Sequence, residues 1–349
     1  MIHHTDLYHP HNDPDDHWDL ASLYGLMARG DIDLKGVVID HPSNGARGSG
    51  APTWGDPALF AVGQLNHLSG RSVPVAVGSS QPFEATREYS RTGLGVGGGA
   101  LEFLLRALEM SPEPVALTIT GSCRDVATAG KVAPEIFRSK CRGIYLNAGT
   151  GTTDPTRGAN QEWNVLLAPD AYRAIFDIPC PIYWLPCFET NEFRVATHGS
   201  YWTFSQGEIL PELPSPLQNF FLYALSRSED PKWLQVLERA PDATLLRSFG
   251  EQRRGMWCTA AFLHMARLSC DLEGNLLHSG SASSAREVFR FDPIRLVLDN
   301  AGVQQWTPAS EPSDRFILRV LDADRYAAAM TRALKTLLLG IGPSRGEGK

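Results

Sequence analysis

Five aspartates, Asp6, Asp13, Asp15, Asp16 and Asp19, fall within fourteen positions in the segment TDLYHPHNDPDDHWDL. His9, His11 and His17 share that segment, and His3 and His4 stand just before it. One acidic side chain at the start of a helix satisfies free N–H groups and suits the helix dipole. A crowd of carboxylates goes beyond that need. They repel one another unless a cation sits among them, and a set of hard oxygen donors suits calcium or magnesium. The expected chemistry is therefore the binding of a hard divalent cation.

The histidines offer an alternative. His9-Pro10-His11 has the His-x-His pattern that follows the first strand of zinc-dependent amidohydrolases, which would make the chain a zinc-dependent hydrolase. That reading needs further histidines at strand ends. His41 follows a strand pattern, whereas His67, His198, His264 and His278 do not.

The elements that must position these groups alternate. Leu20, Leu23, Tyr24 and Met27 recur at helical spacing and predict a helix over 16–28. GVVID (36–40), VPVAVG (73–78), PVALTITG (114–121), GIYLNAG (143–149) and CPIYWLP (180–186) are short apolar runs of strand type. Between them, 57–68, 100–110, 126–137 and 168–176 have helical periodicity. Such alternation predicts an α/β fold, a Rossmann-like, mostly parallel sheet flanked by helices. Ligands of such sheets bind at the carboxyl ends of the strands, which directs attention to Asp6, to Asp40–Asn44, and to the loops after Thr120 and Leu146.

Beyond residue 197 the pattern loosens. The stretch 198–218 reads as an irregular insert beside the site, with helices at 217–225, 232–239, 256–267 and 322–339 and an antiparallel strand at 286–291. The expected organisation is one domain over 1–341 with a disordered tail at 342–349. The glycine-rich run at 93–99 reads as a loop rather than a phosphate cradle.

The 349 residues are 43% hydrophobic and carry a formal charge of −7, enough apolar material for a large core. An acidic balance argues against nucleic acid and anionic membranes as partners. Six scattered cysteines without a Cys-x-x-Cys pair read as buried, reduced thiols. No signal peptide or membrane span is expected, and the cytoplasm is the expected location.

In its first 190 residues the chain resembles the inosine–uridine nucleoside hydrolase family. Thr5-Asp6 followed by DPDD (13–16) is similar to the family's opening strand and Asp-Asp pair. VPVAVGSSQP (73–82), LTITGSCRDVATA (117–129), GIYLNAGT (143–150) and NQEWNVLLAPDAYRAIF (160–176) resemble later blocks in the same order. The resemblance implies hydrolysis of the N-glycosidic bond of a ribonucleoside or related N-ribosyl compound, with bound Ca2+, in a homodimer or homotetramer. It implies Asp6 as metal ligand and general base, Asp16 as metal ligand, and a backbone carbonyl near Arg124 in the metal shell. Asp15, Glu162 and Asn164, helped by Asn160, would bind the ribosyl substrate; Asn44 is a further candidate by its place after the second strand pattern. Asp13 lies in a longer loop than the family's and is a second candidate for base and ligand.

One feature departs from that pattern. The family's late His-Asp pair has MWCTAAF (256–262) in its place, with Trp257 and Cys258 at the two positions. Cysteine is a poor calcium ligand, while Trp257 offers a face on which a base can stack. Protonation of the leaving group would then fall to His9, His11 or His17. A non-catalytic ribose- or nucleoside-binding relative is the alternative that this departure favours.

Overall fold

The apolar runs of the first half all become strands of a nine-stranded sheet. The computed structural model describes residues 1–10, 14–41, 55–91, 99–154, 162–190, 192–278, 286–298 and 304–342. His11, Asp13, Asn44, Asn160 and the tail from 343 lie outside the described residues, as does nearly all of the glycine-rich run.

Strands β1 (Ile2–Thr5), β2 (Gly36–Ile39), β3 (Val75–Val77), β4 (Val115–Ile119), β5 (Cys141–Asn147) and β6 (Ile182–Leu185) alternate, among the described residues, with seven helices. These are α1 (Asp15–Arg29), α2 (Leu59–Ser69), α3 (Gly99–Met110), α4 (Arg124–Val132), α5 (Pro134–Lys140), α6 (Trp163–Leu167) and α7 (Pro169–Ile175). The later part adds β7 (Trp202–Ser205), α8 (Ser215–Leu225), α9 (Ala243–Gly250), β8 (Arg253–Met256) and α10 (Thr259–Met265). It ends with β9 (Phe289–Leu298), β10 (Gln304–Pro308), β11 (Arg315–Val320) and α11 (Ala323–Leu339).

The strand order is β10-β9-β11-β6-β5-β4-β1-β2-β3. Pairing is parallel from β3 to β11 and antiparallel only where β9 joins β11 and β10. From β1 the chain builds outward first through β2 and β3, then on the other side through β4, β5 and β6. The crevice between the carboxyl ends of β1 and β4 is thus the topological switch point, where such sheets bind ligands.

Both faces of the sheet are covered, which is why its strands read as unbroken apolar runs. Leu23 and Leu26 of α1, Phe220 of α8, Phe262 of α10 and Leu337 of α11 fill one layer. Leu104 and Leu108 of α3, Val126 of α4, Phe137 of α5 and Tyr172 of α7 fill the other. Each fully buried Leu or Phe contributes about 2 kcal/mol of transfer free energy.

Helix α1 is buried on almost every side rather than on the one face its periodicity suggests. The reason is α11, whose backbone crosses so closely that a Cβ at Gly25 would run into the Leu337 carbonyl.

Three expectations need correction. The single helix over 126–137 is two, because Pro134 has no N–H to continue α4 and instead opens α5 at its first position. The stretch 198–218 is not wholly irregular, since β7 pairs antiparallel with β8 and α8 begins at Ser215. The helix expected from 256 starts at Thr259, because Met256 is held in the ladder opposite Trp202.

Candidate active site

Asp6 follows the last residue of β1, and Pro14 ends the loop that delivers Asp15 and Asp16 to the first turn of α1. The two ends meet. Thr5, closing β1, donates its hydroxyl to Asp16 Oδ1, and Thr120, just after β4, donates to the same oxygen at 3.1 Å. Asp6 and Asp16 line the same cavity. Burial first, then the charges of Asp16 and Asp40, push the Asp6 carboxyl well above the usual range.

Asp6, Asp15, Asp16 and Thr120 form the floor of a cavity of about 300 Å³ at the switch point. Glu162 and Asn164 form one wall together with Asn147, the last residue of β5. Glu162 caps α6. Its Oε1 accepts the Asn164 N–H at 2.9 Å, and its Oε2 accepts the Gly149 N–H at 2.8 Å. Asn164 Nδ2 donates to the Asn147 carbonyl at 2.9 Å and reaches the Thr120 carbonyl at 3.4 Å, tying this wall to the ends of β4 and β5. Burial raises the Glu162 carboxyl even though those backbone N–H groups favour its charged form.

Opposite stand two thiols and an aromatic rim. Cys258 Sγ donates to Asn147 Oδ1 at 3.3 Å, and Cys187 Sγ donates to the same oxygen at 3.6 Å. Burial and nearby carboxylates push both thiols well above their ordinary value. Phe188, Phe193 and Trp257 line the mouth, with Tyr201 packed among them. The Trp257 ring centre is 5.3 Å from that of Tyr201 and 6.0 Å from that of Phe188.

A charged layer lies beneath the floor. Asp40 accepts the Ser122 N–H at 2.6 Å and its hydroxyl at 2.7 Å, and Arg124 stands 3.7 Å away. His4 Nε2 lies 3.4 Å from Asp40 and 3.1 Å from Asp125. Burial works against a charged His4, but the two carboxylates outweigh it and raise its pKa. These three side chains are close enough to hold an ion, yet the imidazole and Arg124 already neutralise the carboxylates. Gly121 passes so tightly over this layer that a Cβ there would sit 2.7 Å from both Asp40 Oδ2 and the Asp6 nitrogen.

The structure therefore brings Asp6, Asp15, Asp16, Glu162, Asn164 and Trp257 together at one cavity. Arg124 is not among the residues that line it. Its guanidinium stands 3.7 Å from Asp40 and donates to the Ser122 hydroxyl at 3.1 Å, and Thr120 lines the cavity. Asp13, Asn44 and Asn160 fall outside the described residues. His9 is turned away, its Nε2 on the Ser228 carbonyl at 2.7 Å and its ring stacked on Tyr223. His17 is buried near Phe220, and neither histidine lines the cavity.

Thr120, Asn147, Cys187, Phe188, Phe193 and Cys258 were not among the expected site residues. For Thr120 and Asn147 a signal existed: each is a polar residue ending an apolar strand run. Nothing comparable marks Phe193, which is 73% exposed.

A family model described as inosine-uridine preferring nucleoside hydrolase matches residues 12–233. The pyrimidine-specific ribonucleoside hydrolase RihA of Citrobacter koseri is 24% identical over 234 residues, covering 62% of this chain and 70% of that protein. Among solved structures, the purine-preferring ribonucleoside hydrolase from Gardnerella vaginalis aligns with a TM-score of 0.55 at 15% identity, covering 97% of this chain and 98% of its own. The inosine-uridine preferring nucleoside hydrolase from Bacillus anthracis gives 0.51 at 15% identity, with 96% and 98% covered. At these identities the likeness to the solved structures concerns the fold.

Proposed function

Because this chain belongs to the inosine-uridine preferring nucleoside hydrolase family, we propose that it hydrolyses the N-glycosidic bond of a ribosylated small molecule in the cavity floored by Asp6, Asp15 and Asp16, with a divalent cation, calcium, held among these acids. The family's reaction is ribonucleoside hydrolysis, and the family generally uses a divalent cation.

The observation that carries the reading is that the buried Asp6 and Asp16 carboxyls line the same cavity. Two such groups repel unless a proton or a cation lies between them. The oxygen-only character of that floor fits a hard cation, Asp6 and Asp16 supplying carboxylates and Thr120 an adjacent polar group. When bound, such an ion lowers the pKa of a water and fixes the ribose diol.

The remaining work falls to the chain. Asp6 takes the proton of the attacking water, while Asp15, Glu162 and Asn164 hold the ribose hydroxyls. As the C1′–N bond lengthens, positive charge grows on the sugar, and the nearby carboxylates stabilise it. Backbone hydrogen bonds pin Glu162 and Asn164 in place, so little reorganisation is needed at the moment of reaction.

A second reading, a ribose-binding relative without turnover, draws on Cys258. Its thiol is neutral and hydrogen-bonded to Asn147, so no carboxylate faces the floor from that position. Release of free ribose from a panel of ribosides, with calcium and then with chelator, separates the two. Ribose appearing only with the ion supports hydrolysis. Ribose-dependent thermal stabilisation without product supports the binder.

A further inference from the structure

Asp40, the first residue after β2, grips both of the segments that fix Asp16. Its backbone N–H donates to the Thr5 carbonyl at 2.9 Å, and Thr5 in turn donates its hydroxyl to Asp16 Oδ1. Its carboxylate holds Ser122, Oδ2 accepting the N–H at 2.6 Å and Oδ1 the hydroxyl at 2.7 Å. Two residues before Ser122 stands Thr120, the second donor to the same Asp16 oxygen. The turn between them has little room to slide. A Cβ at Gly121 would sit 2.7 Å from Asp40 Oδ2 and from the Asp6 nitrogen.

The Asp40 carboxylate is fully buried, so its charge needs compensation. His4 Nε2 lies 3.4 Å from its Oδ1, and Arg124 stands 3.7 Å from the same oxygen. Arg124 Nε also donates to the Ser122 hydroxyl at 3.1 Å, which leaves that hydroxyl's own proton for Asp40. Asp40 itself is not among the residues that line the cavity.

Resting on the hydrolase reading above, we propose that Asp40 is a positioning residue. It clamps the turn from Thr120 to Ser122 onto the end of β1 and so aims Asp16 at the cation. Buried ionic groups add little stability beyond well-packed apolar residues, and the effect here is on direction. Hydrogen bonds to the outer side of a metal ligand orient it and set its affinity. Negative charge beneath the floor would also favour a cation, and the experiment separates charge from clamp.

Calorimetric titration of calcium into the chelator-treated full chain reads affinity without turnover. Asp40→Ala deletes both acceptors and should raise Kd about tenfold. Asp40→Asn deletes the charge but keeps an acceptor for the Ser122 N–H and a donor for its hydroxyl. That variant should stay within about threefold of the parent. Because the clamp acts through Thr120, Asp40→Ala combined with Thr120→Val should lose about tenfold in total, not the roughly hundredfold of two independent sites. Ser122→Ala, which keeps the backbone bond, should weaken binding about threefold, and it replaces Asp40→Ala if thermal melting shows that variant unfolded.

An Asp40→Asn protein as weak as Asp40→Ala would make charge the agent and overturn the clamp. Additive losses in the double variant, or an unchanged Kd in Asp40→Ala, would also overturn it and leave the cation-holding floor standing. A parent that binds no calcium would overturn the proposal together with that floor.

Discussion

Thr120 and Asp16 join the two halves of the site: the hydroxyl at the end of β4 donates to Asp16 Oδ1, on the first turn of α1, at 3.1 Å. Thr5 donates to the same oxygen. Two hydroxyls on one carboxylate oxygen leave Asp16 little freedom, so its other oxygen can face the cavity in a fixed direction. Thr120→Val keeps the shape and deletes one donor. It should weaken calcium binding by about tenfold, at the low end for groups that orient a metal ligand, with little change in the fold. Calorimetric titration of the variant against the parent checks this.

The placing of Asp6 and Asp16 on one cavity has a consequence for stability. A carboxyl raised on folding contributes stability that is fully present below its unfolded pKa, near 4, and lost as pH rises through the folded value. The Asp6 pKa is raised. Metal-free protein should therefore lose stability as pH rises above about 4, by up to about 1.4 kcal/mol per unit. Asp16→Asn should flatten that slope while abolishing turnover. Urea denaturation in chelator, at four pH values, provides the comparison.

Two histidines produce an opposite slope on the acid side. Burial, with the neighbouring His4, lowers His3 to about 3, and burial, with Arg142, lowers His264 to about 4. A base whose pKa falls on folding stays neutral in the native state while its unfolded form takes a proton. Stability then drops as pH falls from about 6.5 toward those values. His264→Phe should reduce the loss between pH 6.5 and 4.5, although the Tyr145 hydroxyl loses its partner at 2.9 Å and some stability at pH 7 goes with it. The difference in denaturation free energy between the two pH values is the relevant readout.

Cys258→Asp would add a further carboxylate to the cavity that Asp16 lines. With calcium the variant should bind the ion about tenfold more tightly or better, because the added oxygen suits a hard cation where sulfur does not. Without calcium it should be less stable than the parent. Asp19, already buried nearby with both oxygens lacking a hydrogen-bond partner among the described residues, and Asp16 would repel the newcomer. Thermal melts with and without the ion should thus move in opposite directions.

Glu162 ties binding to local structure. Glu162→Gln turns one acceptor into a donor facing either the Gly149 or the Asn164 N–H, so the α6 cap weakens as the ribose contact is lost. A fall in kcat/KM of about 100-fold, with KM carrying a large share, is the expected outcome of steady-state kinetics.

The sheet was legible because its strands are buried on both faces, so GVVID and PVALTITG announce themselves by composition alone. The far edge was not. QQWTP of β10 is short and half exposed, and β11 alternates too weakly to stand out from its charged neighbours. Asp15 and Asp16 could be located because they stand at the boundary between a loop and a periodic helix. Asn147 was marked only by its place at the end of an apolar run, and Cys187 looked like a core thiol. Their place in the site depends on which strands are neighbours at the switch point, and strand order is set by long-range pairing rather than by local pattern.

The most direct test is calorimetric titration of calcium into chelator-treated protein at pH 7.5, beside Asp16→Asn. The account predicts one ion per chain for the parent and no measurable binding for the variant. An absence of binding in both, or an unchanged isotherm in the variant, would contradict a cation-holding floor of Asp6 and Asp16.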